Sequence, residues 1–143
     1  MSADFLDTNV FIYHIDDTDP RKHAIARRLV EAGLTDGSAC ISFQVVQECL
    51  NVGLRKAEKR MSAPLAQAYL DAVLAPLWRV MPGAALYRHG IELQERYRFG
   101  FYDSLIIAAA LEAGCTRLYS EDLQHGQRIG KLTIQNPFLD GGA

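Results

Sequence analysis

Short apolar runs alternate along this chain with longer segments whose apolar residues recur at helical spacing. The runs predict strands at residues 5–6, 39–42, 78–81, 117–119 and 131–134, and the longer segments predict helices at residues 21–33, 43–58, 64–74, 84–97 and 103–113. Ser42 is expected to cap the second of these helices. Short strands alternating with helices favour an α/β fold with a mostly parallel, short-stranded central sheet flanked by helices.

Length and composition limit the chain to one globular domain. Its 143 residues match the size of a single domain, so we expect one unit spanning residues 1–143. Hydrophobic residues make up 49% and charged residues 22%, which excludes a disordered or coiled-coil chain. The formal net charge of −2 provides no overall basic field, so nucleic acid would have to bind a local patch.

The cysteines and the longest apolar run indicate a cytoplasmic protein. Cys40, Cys49 and Cys115 are odd in number, widely spaced and without a CxxC pair, which argues against a disulfide framework or a zinc site. The longest apolar run, residues 105–111, is far shorter than the ~20 residues that a membrane-spanning helix needs.

Four acidic residues fall at junctions between predicted elements. Asp7 and Asp122 follow strands, Asp103 opens an apolar helix, and Glu48 lies in the first turns of a helix that follows a strand. Because ligands of parallel sheets bind beyond the carboxyl ends of the strands, we expect these acids on one rim. Each also has a structural alternative: Asp103 as a helix cap, Asp122 as a turn residue, Glu48 as an exposed helix residue, and Asp7 as a buried acid bonded to loop amides.

Four neighbouring carboxylates would repel one another strongly. Two unit charges 4 Å apart cost about 4 kcal/mol at an effective dielectric near 20, a large share of a domain's stability of about 5–15 kcal/mol. A divalent cation would remove this repulsion. Oxygen ligands without Cys or His select a hard ion, so Mg²⁺, or Mn²⁺ in its place, is the expected cofactor.

Four motifs carry a family resemblance that extends over almost the whole chain. They are FLDTNVFIY, ISFQVVQECLNV, FGFYDSLIIAAALEAGC and LYSEDLQHGQRI, in this order. Each is short, but together the sequence resembles the PIN-domain ribonucleases and, among them, the VapC-type toxins of bacterial toxin–antitoxin pairs. The resemblance implies a PIN-like fold and a Mg²⁺-dependent endoribonuclease, with RNA as substrate, a homodimer and a cognate antitoxin as partner.

The resemblance also assigns roles to individual residues. It implies that Asp7, Glu48, Asp103 and Asp122 are both the catalytic and the metal-binding acids. Thr8, Asn9 and Ser120 match polar positions that line the pocket and support its ligands. Asp122 is preferred as the fourth acid because it falls two residues after Ser120, but Glu121 stands beside it and that choice stays open. The number of metal ions also stays open.

Basic residues outside the acidic site are candidates for holding RNA phosphates. The main ones are Arg27 and Arg28 on the first predicted helix, and Arg55 and Lys59 beyond Glu48. Further candidates near them are Arg21, Lys22, Lys56, Arg60, Arg96 and Arg98. A solvated helix face is the alternative for each of them.

Three other functions compete with the ribonuclease hypothesis. A haloacid dehalogenase-type phosphatase would need an acid two residues after Asp7, where Asn9 stands. A phospho-acceptor receiver domain would need a paired acid beside Asp7, where Thr8 stands. The stronger alternative is a non-catalytic metal-binding module that holds RNA or a protein without cutting it.

Overall fold

The computed structural model describes residues 3–55 and 60–139. Within these residues one sheet contains β1 (Asp4–Leu6), β2 (Ala39–Ser42), β3 (Trp78–Val80), β4 (Arg117–Tyr119), β5 (Arg128–Ile129) and β6 (Leu132–Gln135). Their spatial order is β3-β2-β1-β4-β6-β5, and only the β5–β6 pair is antiparallel. The predicted mostly parallel, short-stranded sheet is therefore confirmed.

Helices connect the strands. They are α1 (Thr8–Ile15), α2 (Pro20–Asp36), α3 (Phe43–Arg55), α4 (Ala63–Tyr69), α5 (Ala75–Leu77), α6 (Ala84–Tyr97) and α7 (Phe101–Glu112), and a π-helical segment, Leu70–Leu74, joins α4 to α5. No helix in the described ranges is long and apolar enough to cross a membrane.

Helices cover both faces of the sheet. All four residues of β2 are buried, and because neighbouring side chains of a strand point to opposite faces, neither face of β2 is open to water. Helix α7 is apolar all round and buries every residue from Ser104 to Ala110, as a helix enclosed in a core must. Helix α2 packs closely on β2, since a Cβ at Gly33 would lie 2.7 Å from the Cβ of Ala39.

Helix α1 is an element that the sequence pattern did not reveal. No helix is predicted between residues 6 and 21, but the segment after β1 is helical because the Asp7 side chain caps it and because Val10 and Phe11 are buried on its inner side. The β-branched and aromatic residues of this segment favour a strand by local propensity, and packing overrides that preference.

Ser42 does not act as the predicted helix cap. It belongs to β2 and is buried, and its hydroxyl oxygen has no hydrogen-bond partner among the described residues. The elements predicted at residues 39–42, 84–97 and 117–119 have the predicted bounds. The helix predicted at residues 64–74 is divided between α4 and the π-helical segment, and residues 56–58 of the helix predicted at 43–58 lie outside the described residues. The remaining elements have shifted ends; α7, for example, begins two residues before Asp103.

Candidate active site

Asp7 lies at the carboxyl end of the central strand β1 and is only 7% exposed. Its Oδ1 accepts a hydrogen bond from the Thr8 amide at 2.7 Å, and its Oδ2 accepts one from the Ser120 hydroxyl at 2.7 Å. Burial raises the pKa of Asp7 from 3.8 to about 6. The two hydrogen bonds act to lower this pKa, while the charges of Glu48 and Asp122 add to the increase.

Glu48 faces this carboxylate from helix α3. Its Oε1 accepts hydrogen bonds from the Thr8 hydroxyl at 3.1 Å and from the Gln44 side-chain amide at 3.4 Å. Thr8 therefore joins two acids, since its backbone amide holds Asp7 and its hydroxyl holds Glu48. This short polar link fixes α3 relative to the end of β1.

Asp122 approaches from the loop after β4. The buried Ser120 that binds Asp7 also accepts a hydrogen bond from the Asp122 amide at 3.3 Å. The Asn9 side-chain amide donates to Asp122 Oδ2 at 3.3 Å, and Asn9 Oδ1 accepts from the Glu121 amide at 3.4 Å. Asn9 thus binds both the backbone of this loop at Glu121 and the side chain of Asp122.

Glu121 turns to different partners. Its carboxylate accepts hydrogen bonds from the Tyr13 hydroxyl at 2.7 Å and from the Lys22 ammonium at 2.6 Å. The hydrogen bond to Glu121 is the largest cause that raises the pKa of Lys22. Of the two neighbouring acids, Asp122 is therefore the one whose charge acts on Asp7, and Glu121 is neutralised by a cation.

Asp103 occupies the first turn of α7 and is half-buried. Burial raises its pKa, and the charge of Asp122 raises it further. The first turn of a helix favours a carboxylate through its exposed amides. Asp103 can stabilise the start of the helix and still bind a cation, because its side chain is only half-buried.

Electrostatic interactions connect the four acids as a series of pairs. Glu48 acts on Asp7, Asp7 interacts with Asp122, and Asp122 acts on Asp103. No Lys or Arg in the described ranges forms an ion pair with any of them. The four carboxylates therefore interact as successive pairs, without a side-chain cation among the described residues to balance them.

This region is not a ready-made metal cage. No three His, Cys, Asp or Glu side chains of the described residues stand close enough together to hold an ion. The chemistry of the donors fits Mg²⁺ or Mn²⁺, because all four are carboxylates and their charges are uncompensated. Of the four, only Asp7 is buried, whereas Glu48 and Asp103 are half-buried and Asp122 is exposed.

Comparison with known proteins identifies the fold. The sequence profile of the PIN domain matches residues 5–130. The chain belongs to the PIN domain family. The predicted family resemblance is thus confirmed, whereas a comparison with curated proteins finds no match.

Solved structures with the same fold include three toxin structures. VapC20 of Mycobacterium tuberculosis, a sarcin–ricin loop cleaving toxin, has a TM-score of 0.62 and 22% identity, over 83% of this chain and 89% of that one. A toxin–antitoxin complex from Klebsiella pneumoniae has a TM-score of 0.67 and 18% identity, over 94% and 97%. VapBC2 of Rickettsia felis, bound to a promoter DNA fragment, has a TM-score of 0.64 and 22% identity, over 93% and 97%. These likenesses show that this PIN domain has the fold of VapC toxins.

The basic candidates are dispersed over the PIN domain. Arg27 forms an exposed ion pair with Glu31 at 2.9 Å. Arg28 lines a groove of about 570 Å³ between α2 and the segment after β6, whose lining includes none of the four acids. Arg55 is exposed in the last turn of α3, and Lys59 lies outside the described residues. The described candidates therefore lie on two different helices, Arg27 and Arg28 on α2 and Arg55 on α3.

Sequence reasoning missed Gln44. This buried residue donates to Glu48 and, at 3.1 Å, to the backbone carbonyl of Tyr102, so it joins the helix that carries one acid to the helix that carries another. Its side-chain oxygen has no partner among the described residues. The available signal was its position four residues before Glu48, which puts both side chains on one helix face.

Proposed function

We propose that this PIN domain is a metal-dependent endoribonuclease that acts as the toxin of a toxin–antitoxin pair, with residues 1–143 forming one catalytic domain. Membership of the PIN domain family and the fold shared with VapC toxins support this proposal. The observation that carries it is the buried Asp7 carboxylate, whose pKa is raised to about 6 and which lies between two further carboxylates without a neutralising cation. Such a costly arrangement is typical of a functional site.

Asp7, Glu48, Asp103 and Asp122 are the residues that would hold Mg²⁺, or Mn²⁺ in its place. When bound, the cation supplies a water activated at neutral pH and neutralises charge that develops on the phosphoryl oxygens. The polar residues around the acids keep the carboxylate oxygens available and oriented. Ser120 and Thr8 hold Asp7, Thr8 holds Glu48, and Asn9 holds Asp122.

Hydrolysis of the phosphodiester by water predicts products with a 5′-phosphate and a 3′-hydroxyl. The alternative, attack by the RNA 2′-hydroxyl, requires a general base and a general acid and yields a cyclic phosphate. Three histidines that could serve in this way are hydrogen-bonded elsewhere: His14 with Tyr69, His23 with the Tyr13 carbonyl and His125 with the Asn136 amide. None of these three hydrogen bonds involves the four acids.

The direct test is incubation of the purified protein with total RNA, with Mg²⁺ or with excess EDTA, followed by sequencing of the cut ends. We expect Mg²⁺-dependent cleavage that leaves 5′-phosphates, and loss of cleavage in Asp7→Asn. Asp71→Asn, at an exposed aspartate of the π-helical segment, is the matched control and should cleave normally. Equal cleavage in EDTA, or cyclic phosphate ends, would contradict the mechanism.

A second test separates the enzyme from a binding module. We expect expression of the protein alone to arrest growth, and Asp7→Asn to abolish the arrest while it preserves the fold and partner binding. An Asp7→Asn variant that still arrests growth would favour a module that holds RNA or protein without cutting it.

The proposed partners are an antitoxin and a second copy of the chain in a cytoplasmic complex. The uncompensated negative charge of the site favours an antitoxin that covers the acids or inserts a basic side chain. The three cysteines are odd in number and contain no CxxC pair, which agrees with a reducing compartment. Co-expression of the antitoxin should relieve growth arrest, and light scattering should give the mass of a dimer. A partner bound only away from the acids would reject the charge argument.

A further inference from the structure

Residues 96–102, read as RYRFGFY, form an aromatic segment immediately before Asp103. In seven residues it contains four aromatic rings and two arginines. Nothing in the metal site uses these side chains. Their composition is typical of a surface that holds single-stranded nucleic acid, where cations contact phosphates and rings stack on bases.

The first half of the aromatic segment is anchored to the protein. The rings of Tyr97 and Phe99 stack with centroids 5.7 Å apart, and both pack against the core. The Arg96 guanidinium lies 5.3 Å from the Tyr97 ring centroid. This part of the segment is therefore a fixed support.

The second half presents aromatic rings to solvent. Tyr102 is 69% exposed and Phe101 is 38% exposed, and their rings meet edge to face with centroids 5.4 Å apart. Aromatic side chains with this exposure do not gain the hydrophobic stabilisation of burial. Adjacent exposed rings are typical of a binding surface. Because both residues belong to the first turn of α7, the backbone that carries them is held rigidly.

The exposed rings are fixed beside the acids. The Tyr102 carbonyl accepts the hydrogen bond from Gln44, whose amide also contacts Glu48. Asp103 is the next residue along the same helix. A nucleotide on these rings would therefore adjoin the carboxylates that the proposed function uses for phosphodiester cleavage.

Arg98 adds a cation at a conformationally unfavourable position. It caps the end of α6 with φ +66°, in the left-handed region, and it is the only residue other than glycine with a positive φ in the described ranges. Glycine is the preferred residue at such a position because it has no Cβ. The exposed Arg98 therefore destabilises the fold slightly, and it places a positive charge within the aromatic segment.

We propose that the Tyr102 ring, with Phe101 at its edge, stacks on an unpaired base of the RNA beside the cleaved phosphate, while Arg98 contacts the strand's backbone. This proposal rests on the ribonuclease activity proposed above and names single-stranded RNA as the substrate class. Stacking is the contact that suits this protein, since the net charge of −2 and the four acids oppose the approach of phosphates.

The stacking test measures binding separately from cleavage. An RNA oligonucleotide with 2-aminopurine at each position in turn is titrated into an Asp7→Asn background, in which no cleavage is expected. Stacking on Tyr102 should quench the fluorescence at one position. A stacked base contributes about 1–3 kcal/mol, so Tyr102→Ala should abolish the quenching and raise the Kd about 5- to 150-fold. Tyr102→Phe keeps the ring and should stay within about twofold.

Substitution of Arg98 provides an independent test, because stability and RNA binding should change in opposite directions. Arg98→Gly should raise the urea midpoint, because glycine suits the left-handed position, and should weaken RNA binding. It should also reduce the slope of log K against log salt by about 0.7, the value for one single-strand phosphate contact. Arg98→Lys keeps the charge and should retain the slope.

Three outcomes would overturn the proposal. If the wild type cleaves RNA and Tyr102→Ala binds and cleaves like it, the stacking surface is wrong and the ribonuclease proposal stands. If Tyr102→Ala changes the oligomeric state and leaves the quenching intact, the exposed rings form a protein interface. If the wild type neither binds nor cleaves RNA, both proposals fail. Circular dichroism of each variant checks that it is folded.

Discussion

Replacing Asp7 by asparagine should stabilise the metal-free protein while it removes the proposed activity. Asparagine has the shape of a protonated aspartate, and its oxygen can still accept the Thr8 amide while its NH₂ group faces the Ser120 hydroxyl. The change therefore deletes a buried charge, keeps the hydrogen bond from the Thr8 amide, and reverses the other one, since the NH₂ group donates to the Ser120 oxygen.

The magnitude follows from the pKa of Asp7. Burial raises that pKa from 3.8 to about 6, and each pKa unit corresponds to about 1.4 kcal/mol, so the ionised carboxylate costs the folded protein about 3 kcal/mol. Below pH 4 the group is protonated in both the folded and the unfolded state, and the cost is absent. Between pH 4 and 6 only the unfolded state releases its proton, so the stability of the wild type falls as the pH rises. Above pH 6 the full cost is present.

Urea unfolding in EDTA at pH 4.0, 5.0 and 7.5 measures the effect. Trp78 is the only tryptophan, and its indole N–H donates to the Val80 carbonyl at 3.0 Å, so its fluorescence reports the folded state. We expect Asp7→Asn and the wild type to have equal stability near pH 4, and the variant to be more stable by about 3 kcal/mol at pH 7.5. Asp71→Asn, which alters an exposed aspartate, should change the free energy of unfolding by less than about 0.5 kcal/mol.

One result would refute this reasoning. If Asp7→Asn were as stable as the wild type at pH 7.5, or less stable, the buried carboxylate would not be under the electrostatic stress that supports the metal site. A difference between the two proteins that stays constant from pH 4 to 7.5 would assign the effect to packing instead.

Three further predictions concern the same region. Mg²⁺ at 100 times its Kd should stabilise the wild type by about 2.7 kcal/mol and leave Asp7→Asn unchanged in thermal melts; equal shifts in both proteins would place the ion elsewhere. Ser120→Ala removes a hydrogen bond that lowers the pKa of Asp7, so the acidic limb of the cleavage pH profile should move to higher pH, and stability should fall by about 1–3 kcal/mol; an unmoved limb would exclude Asp7 as the titrating group. Asp122→Asn should abolish cleavage, whereas Glu121→Gln should cost at most about 1 kcal/mol of stability and retain cleavage, and the reverse pattern in a gel assay would make Glu121 the fourth acid.

The sequence could predict that Asp7 is buried and that it lies at the end of a strand. Asp7 sits between apolar residues in FLDTNVFIY, so its burial at the end of a strand follows from the local pattern. The same segment did not predict α1, because valine, isoleucine and phenylalanine favour strands by local propensity. The helix forms because Asp7 caps it and because its apolar side packs in the core.

The sequence could not predict which side chains pair, because the pairing depends on the geometry of loops that bring distant residues together. Asn9 meets Asp122 across 113 positions, and Lys22 meets Glu121 across 99. Glu121 and Asp122 are adjacent in the chain, and only the folded structure shows that Glu121 binds Tyr13 and Lys22 while Asp122 binds Asn9. The exposure of Tyr102 was equally hidden, since two adjacent aromatic residues at the start of a mostly apolar helix do not reveal which ring remains outside.

The assembly of the acidic region from β1, α3, α7 and the loop after β4 has a consequence for biosynthesis. β4 pairs with β6 as well as with β1, so the strand before the Asp122 loop is flanked on both sides only after β6 has been made. Under the proposed function, we therefore expect the chain to become active only after β6 has been synthesised.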